Sequence, residues 1–201
     1  LRAIRESRGS DNELAYWDTA LCTEGALVLG ARYDAIERLS PLVAEAFDRL
    51  ESVDSLGLTY IATVPFDERP TADTFAFALN QVRRAELRAG MTLVGPHRDD
   101  LKITMNGIEM AKHASRGQAR LAALGLRVAE ARLMEERRND PPVVLFDDVL
   151  SELDEHRRSL VLEETIRHHQ TLVTTADLAQ VPSRFLEGAH RLRVHGGDVS
   201  Y

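Results

Sequence analysis

The most constraining feature of the chain is the run Val143-Val144-Leu145-Phe146-Asp147-Asp148. Four consecutive apolar residues, two of them β-branched, end abruptly in two carboxylates. Asp140-Pro141-Pro142 bounds the run in front. A short continuous apolar run of this kind reads as a parallel strand buried on both faces. Parallel strands need crossover helices, and helical patterns flank this one on both sides. Arg116 to Arg138 repeats Leu121, Leu124, Val128 and Ala131 on one face, and Leu153 to His168 is helical again. Thr171 to Thr174 is a second short apolar strand. It is expected beside the first and parallel to it. The last hundred residues therefore alternate strand and helix, which points to an α/β sheet.

The first half reads differently. Residues 1–16 are polar, with Gly9, Ser10 and Asp11 as breakers, and suggest a loop. From Trp17 to Leu50 apolar residues recur at helical spacing. Pro41 behind Ser40 predicts either two helices or one kinked helix, because proline is best placed at a first helical position after a cap. A strand follows over 56–64, then a helix capped by Thr71 and ended by Gly90. Strands are expected over 91–95 and 101–105, the second closing on an Asn106-Gly107 turn. Arg191 to His195 closes the chain. His156, His168 and His169 read as polar helix surface.

Composition excludes several classes. At 201 residues and 44% apolar the chain is too apolar for a disordered segment. A single cysteine, Cys22, excludes an internal disulfide framework and a cysteine-based zinc site, and fits a reducing, cytoplasmic setting. No apolar run is long enough to cross a membrane, and no signal segment opens the chain. The formal charge of −7 argues against a uniformly basic nucleic-acid binder. The charge is uneven, however. Residues 81–139 hold 12 Lys and Arg against 7 Asp and Glu, net +5, and the rest holds 13 against 25, net −12. Arg83, Arg84, Arg88, Arg98, Lys102, Lys112, Arg116, Arg120 and Arg127 are the candidates for facing phosphates. A solvated helix face is the alternative for each of them.

Three constellations carry chemistry. An acidic pair at the carboxyl end of a parallel strand lies where open α/β sheets bind ligands. Asp147 there can hold Mg²⁺ through a hard oxygen ligand, and Asp148 can orient or deprotonate a water. This is the arrangement of a Walker B strand; a plain acidic turn is the competing reading. Ser115-Arg116-Gly117-Gln118 opens the long helix, where backbone N–H groups and the helix dipole favour a phosphate. An ordinary serine cap accounts for it equally. Ser151-Glu152-Leu153-Asp154 reads as a helix start with Ser151 as cap and Asp154 at the third position, a variant capping box. A metal centre from His97, Asp99 and Asp100 lacks the clustered second histidine or the H-x-E and H-E-x-x-H spacing that would complete it.

Taken in order, the three match the second half of an ABC-type ATPase, and the segment resembles the RecF family. The matching residues are Gly95-Pro96-His97-Arg98-Asp99-Asp100-Leu101, Ala114 to Gln118, Val143 to Asp154, and Val173-Thr174-Thr175-Ala176-Asp177. The resemblance implies an SMC-like ABC ATPase that binds gapped or double-stranded DNA in recombinational repair. It also implies a homodimer formed when ATP is bound, and RecA loading with RecR and, in the same pathway, RecO. By residue match, Asp147 is the Mg²⁺ carboxylate and Asp148 stands where many such proteins carry a catalytic glutamate. Ser115, Arg116, Gly117 and Gln118 form the signature that closes on the partner subunit's ATP. Asp154 lies in the D-loop, and Thr175 stands where a switch histidine is common, so hydrolysis is expected to be slow.

The fold implied is α/β: half of an ABC-type head, a mixed sheet with flanking helices over 91–201, plus a mainly helical arm lobe over 1–90. No G-x-x-x-x-G-K-[ST] loop occurs anywhere in the chain. Together with Leu1 at the first position, this leads to the expectation of a C-terminal portion that does not hydrolyse ATP alone. The competing function is a non-enzymatic DNA- or protein-binding module whose acidic strand end is structural.

Overall fold

The structure, a computed structural model, describes residues 10–51, 54–138 and 140–201. It is mixed α/β and divides into two compact units: residues 1–41 with 57–104, and residues 42–56 with 105–201. The long helix α1, Asp11–Leu50, belongs to the first unit through Pro41 and to the second from Leu42. Among the described residues no helix is long and apolar enough to cross a membrane.

Helix α1 starts earlier than its polar sequence suggests. Ser10 Oγ accepts the Glu13 N–H at 3.2 Å, and Glu13 Oε2 accepts the Ser10 N–H at 3.1 Å. That reciprocal pair is a Ser-x-x-Glu capping box. Residues 11–16 are therefore helix rather than loop, and the part of that expectation over 1–9 lies outside the described residues. Pro41 does not divide the helix, which runs continuously through it. Ser40 is not a cap; its hydroxyl donates to the Leu58 carbonyl at 3.1 Å.

Strand β1 (Leu56–Ile61) lies next to β2 (Asp100–Met105) in a sheet of order β1-β2-β3, with β3 at Ile108–Glu109. Asn106 and Gly107, with φ of 52° and 78°, make the expected tight turn. Helix α2, Ala72–Ala89, has a Thr71–Thr74 capping box and a left-handed Gly90 at its end. Cys22 and Leu29 of α1 pack with Val64, Phe75, Ala78, Leu79 and Val94.

No strand forms over 91–95. The backbone donors there are taken by side chains instead of a ladder. Leu93 N–H donates to Glu86 Oε1 at 2.8 Å and Gly95 N–H to Thr63 Oγ1 at 2.8 Å. Glu86 is fully buried, and its other oxygen pairs with Arg83 at 3.3 Å. A buried carboxylate is stable only when so satisfied.

In the second unit, α3 (Met110–His113) precedes α4, Arg116–Arg138, whose buried face includes Leu121, Leu124, Val128 and Ala131 as its spacing requires. Phe47 lies 3.3 Å from the place a Cβ would occupy on Gly125, so α1 and α4 approach closely there. Strand β4 is Val143–Asp147 and β5 is Gln170–Thr174; they pair in parallel, Asp147 opposite Thr174. Helix α5, Glu155–Thr165, connects them, and α6 (Ser183–Leu186) follows β5. The chain ends in a β6 (Arg193–His195) and β7 (Asp198–Ser200) hairpin through Gly196 and Gly197, both at positive φ.

One expectation fails here. Strand β4 is not buried on both faces: Phe146 is 4% exposed, but Leu145 is 69% and Val143 53%. Leu172 of β5 shares that exposure. The two strands form a sheet of their own, so one apolar face has no covering layer among the described residues.

Candidate functional site

Asp147 is the last residue of β4, and the pairing register sets Thr174 opposite it. The Thr174 hydroxyl donates to Asp147 Oδ1 at 2.5 Å and accepts the Asp148 N–H at 3.0 Å. Asp148 turns the chain in a left-handed conformation, φ 50° and ψ 27°, which is unusual for a residue with a side chain. Ser151 Oγ donates to the Asp148 carbonyl at 2.9 Å, closing the 3₁₀ turn Val149–Glu152 over the buried Leu150. Both carboxylates remain exposed. Thr174 is a contact that the sequence does not single out; Thr175, which the resemblance sets in the place of a switch histidine, is the next residue, and its hydroxyl donates to the Asp177 carbonyl at 3.1 Å and accepts the Asp177 N–H. The signal available beforehand was register: two adjacent strands ending together face Thr174 at Asp147.

Asp147 and Asp148 line a cavity of about 550 Å³ together with Arg120, Arg127 and Met134 of α4 and Leu145 of β4. Two basic candidates and both carboxylates thus share one concavity. Among the described residues nothing but Thr174 bonds the Asp147 carboxylate, and no cluster of three or more metal-ligating side chains occurs. A donor set of one or two carboxylates fits Mg²⁺, which keeps several waters and takes its remaining ligands from phosphate oxygens. Phosphate oxygens of a nucleotide would supply them.

Ser115 begins α4. Its hydroxyl accepts the Gln118 N–H at 3.2 Å, and Gln118 Oε1 accepts the Ser115 N–H at 2.9 Å. Ser115, Arg116 and Gly117 are all exposed, and a Cβ on Gly117 would meet nothing nearer than Ser115 Oγ at 4.0 Å, so the serine cap leaves room for an anion there. Asp154 differs from its sequence assignment. It is itself the N-cap of α5, accepting the Arg157 N–H at 2.9 Å, rather than a third helical residue behind Ser151. That backbone donor holds its carboxyl below the ordinary carboxylate range. The Arg157 guanidinium, pushed above its usual value by Glu51, donates to both Asp154 and Glu51.

The basic candidates divide between the units. Arg83 is pinned between Asp18 and the buried Glu86, so its guanidinium is already engaged by two carboxylates. Arg84, Arg88 and Lys102 are exposed. Arg98 donates to the Thr92 carbonyl at 3.1 Å. In the second unit, Lys112 pairs with Glu109 at 3.0 Å and Arg127 with Glu130 at 2.6 Å, while Arg116 and Arg120 are exposed.

The run 95–100 has a structural role that its sequence hides. Asp99 accepts the Thr63 N–H at 2.7 Å, the Thr63 hydroxyl at 2.8 Å and the Tyr60 hydroxyl. Burial first, then Asp99, pushes the Tyr60 phenol up to about 12. Gly95 sits at φ 120°, and a Cβ there would come within 2.8 Å of Phe75. His168 is not the plain surface residue its setting suggested: it is half-buried, and burial lowers its pKa.

No family model matches the chain. RecF proteins do. The DNA replication and repair protein RecF of Chloroflexus aggregans is 40% identical over 209 residues, covering 99% of this chain and 53% of that protein. The same protein of Herpetosiphon aurantiacus is 42% identical over 202 residues, covering 98% and 51%. The chain thus spans about half the length of the relatives it matches. A solved structure of the recombination mediator protein RecF-ATPrS in the RecFOR pathway superposes with TM-score 0.79 at 27% identity, over 98% of this chain and 52% of that one. A structure from work on ATP-driven dimerization of SMC ATPases shares the fold, with TM-score 0.51 at 16% identity over 85% of each chain.

Proposed function

Because the chain belongs to the RecF family over the span it covers, we propose that it is the C-terminal portion of an ATP-dependent DNA-binding clamp subunit. The subunit acts in recombinational repair at gaps and assists RecA loading with RecR and RecO. In this reading residues 91–201 supply the signature, Walker B strand and D-loop of the head. Residues 1–90 supply the arm lobe, with the last turns of α1 packed in the head-side unit. The relatives are DNA replication and repair proteins, and one solved neighbour is RecF-ATPrS, which supports DNA and ATP as ligands.

The observation that carries the reading is the corner of Asp147, Asp148 and Thr174 at the carboxyl ends of two adjacent parallel strands, opening on a cavity with Arg120 and Arg127. Bound Mg²⁺ would neutralise developing charge on a transferring phosphoryl group. Asp147 holds a carboxylate at the strand end for it, and Thr174 fixes that carboxylate's rotamer. Asp148 presents a second carboxylate within the same cavity to orient a water. Thr175 cannot act as a charged sensor, so turnover by the full-length dimer is weak. The uncovered face of Val143, Leu145 and Leu172 supports the view that a further layer, bearing the phosphate-cradling loop, completes the head.

The test is Asp147→Asn in the full-length protein. Loss of Mg²⁺-dependent ATP turnover with nucleotide binding retained is expected. Unchanged turnover moves the metal carboxylate elsewhere and removes the observation on which the reading rests.

A further inference from the structure

The last turn of α1 is fastened to α5 at two places on one face. Glu51 follows α1 directly, its N–H still donating to the Phe47 carbonyl at 2.8 Å. Its Oε2 accepts from Arg157 Nη2 at 2.6 Å and from Arg157 Nε at 3.2 Å. Two residues earlier, Arg49 Nε lies 3.6 Å from Oε2 of the buried Glu164. Residues 157 and 164 are seven apart, two turns along the same side of a helix. The end of α1 therefore brackets α5 rather than touching it at a point.

Arg157 also reaches forward. Its Nη1 donates to Asp154 Oδ2 at 3.2 Å, while its own N–H is the one Asp154 Oδ1 caps. Arg158 Nε donates to the Leu150 carbonyl at 2.8 Å, fixing the preceding 3₁₀ turn to the same helix start. The planar guanidinium suits this use, since its rigid fork holds separate N–H donors toward two carboxylates in a fixed geometry, where a lysine ammonium is a single rotatable point charge. A continuous chain of bonds runs from the end of α1 through Arg157 to Asp154, and through Arg158 to the turn that follows Asp148.

We propose that Arg157 is a positioning residue that makes the loop 148–154 respond to the state of helix α1, through the Glu51–Arg157–Asp154 relay. The inference rests on the clamp reading, in which Asp154 lies at the ATP-dependent dimer interface. Its consequence is that binding events on the arm are felt at that interface through one side chain. Glu51 is mostly buried and Arg157 only partly exposed, so salt screens the pair less than a surface contact.

The experiment uses the full-length protein, with dimerisation followed by light scattering in Mg²⁺-ATP, with and without duplex DNA. Glu51→Gln cuts the relay at α1 and leaves the Asp154 cap untouched. It is expected to dimerise with ATP as wild type does, but to lose the gain that DNA gives, by about two- to fivefold, the factor expected of one partly screened ion pair. Arg157→Gln is expected to show the same loss. Amide exchange over 148–156 should quicken in both variants. A full DNA response in either variant overturns the relay. So does an equal loss with and without DNA, which assigns the ion pair to packing alone. Wild-type protein that forms no ATP-dependent dimer overturns the clamp reading itself, a result distinguishable from both.

Discussion

The Thr174 hydroxyl bridges two consecutive residues of the neighbouring strand end, donating to the Asp147 carboxylate at 2.5 Å and accepting the Asp148 N–H at 3.0 Å. One side chain thereby fixes both the rotamer of the Asp147 carboxylate and the left-handed turn behind it. Thr174→Val keeps the β-branched shape that suits a strand and removes only the hydroxyl. The full-length variant is expected to need more Mg²⁺ for turnover, by about 10- to 100-fold, the usual scale for a residue that orients a metal ligand. A Mg²⁺ titration of ATPase activity, with thermal melting as a control on folding, checks it. An unshifted Mg²⁺ dependence would show that Asp147 needs no such orientation.

Gly25 of α1 reverses a general rule. Replacing glycine by alanine inside a helix normally stabilises by about 0.5–1 kcal/mol. Here the added Cβ would overlap the ring of Phe75, which is fully buried. Overpacking of this kind costs about 1–3 kcal/mol. Gly25→Ala should therefore destabilise the protein, measured as a lower denaturant midpoint at unchanged slope.

What was legible in the sequence follows from where the information sits. Helices α2 and α4 and strands β4 and β5 declare themselves locally, through a Thr71 cap, a Gly90 stop and apolar runs of the right period. The start of α1 hides in a polar stretch, although Ser10-Asp11-Asn12-Glu13 carries a capping box, because polar composition imitates a loop. The loop over 91–95 could not be read, since its apolar residues imitate a strand. What denies them a ladder is Glu86, buried behind Gly90, and Thr63, more than thirty residues upstream. The site divided the same way. Asp147 and Asp148 stand out in the sequence, while Thr174 becomes visible only once the strands are in register. Arg83 reads as a surface cation until the fold sets it between Asp18 and Glu86.

Tyr60 gives a pH dependence of defined sign. Its phenol is pushed up to about 12 in the folded protein, by burial and then by Asp99, against about 10 in an unfolded chain. A group raised in the folded state contributes stability that is fully present below its unfolded pKa. That stability is lost as pH rises through the folded value. The protein should thus lose stability between about pH 10 and 12 through this group. Asp99→Asn removes the charge but not the burial, so the Tyr60 titration should move only part of the way back toward 10. Ultraviolet titration of phenolate formation, with wild type and variant compared, reads both effects. A Tyr60 that ionises near 10 in the wild-type protein would contradict its burial against Asp99.

Ser115 decides between a plain helix cap and half of a composite ATP site. Its hydroxyl already serves Gln118, and Gln118 serves its N–H in return, so the capping role is real. Yet the residue is exposed at the start of a helix of 23 residues, where the dipole favours an anion. Ser115→Arg separates the two roles. Loss of the cap alone costs about 1 kcal/mol, a lower melting temperature with no change in assembly. A signature that closes on a partner's nucleotide would instead be blocked by the larger side chain. The full-length variant is then expected to bind ATP through its own phosphate loop and to remain monomeric in Mg²⁺-ATP. DNA binding that depends on the dimer should weaken in proportion. Sedimentation with and without nucleotide, beside a direct measurement of ATP binding, distinguishes these outcomes. ATP-driven dimers of wild-type affinity in the variant would leave Ser115 as a cap and nothing more.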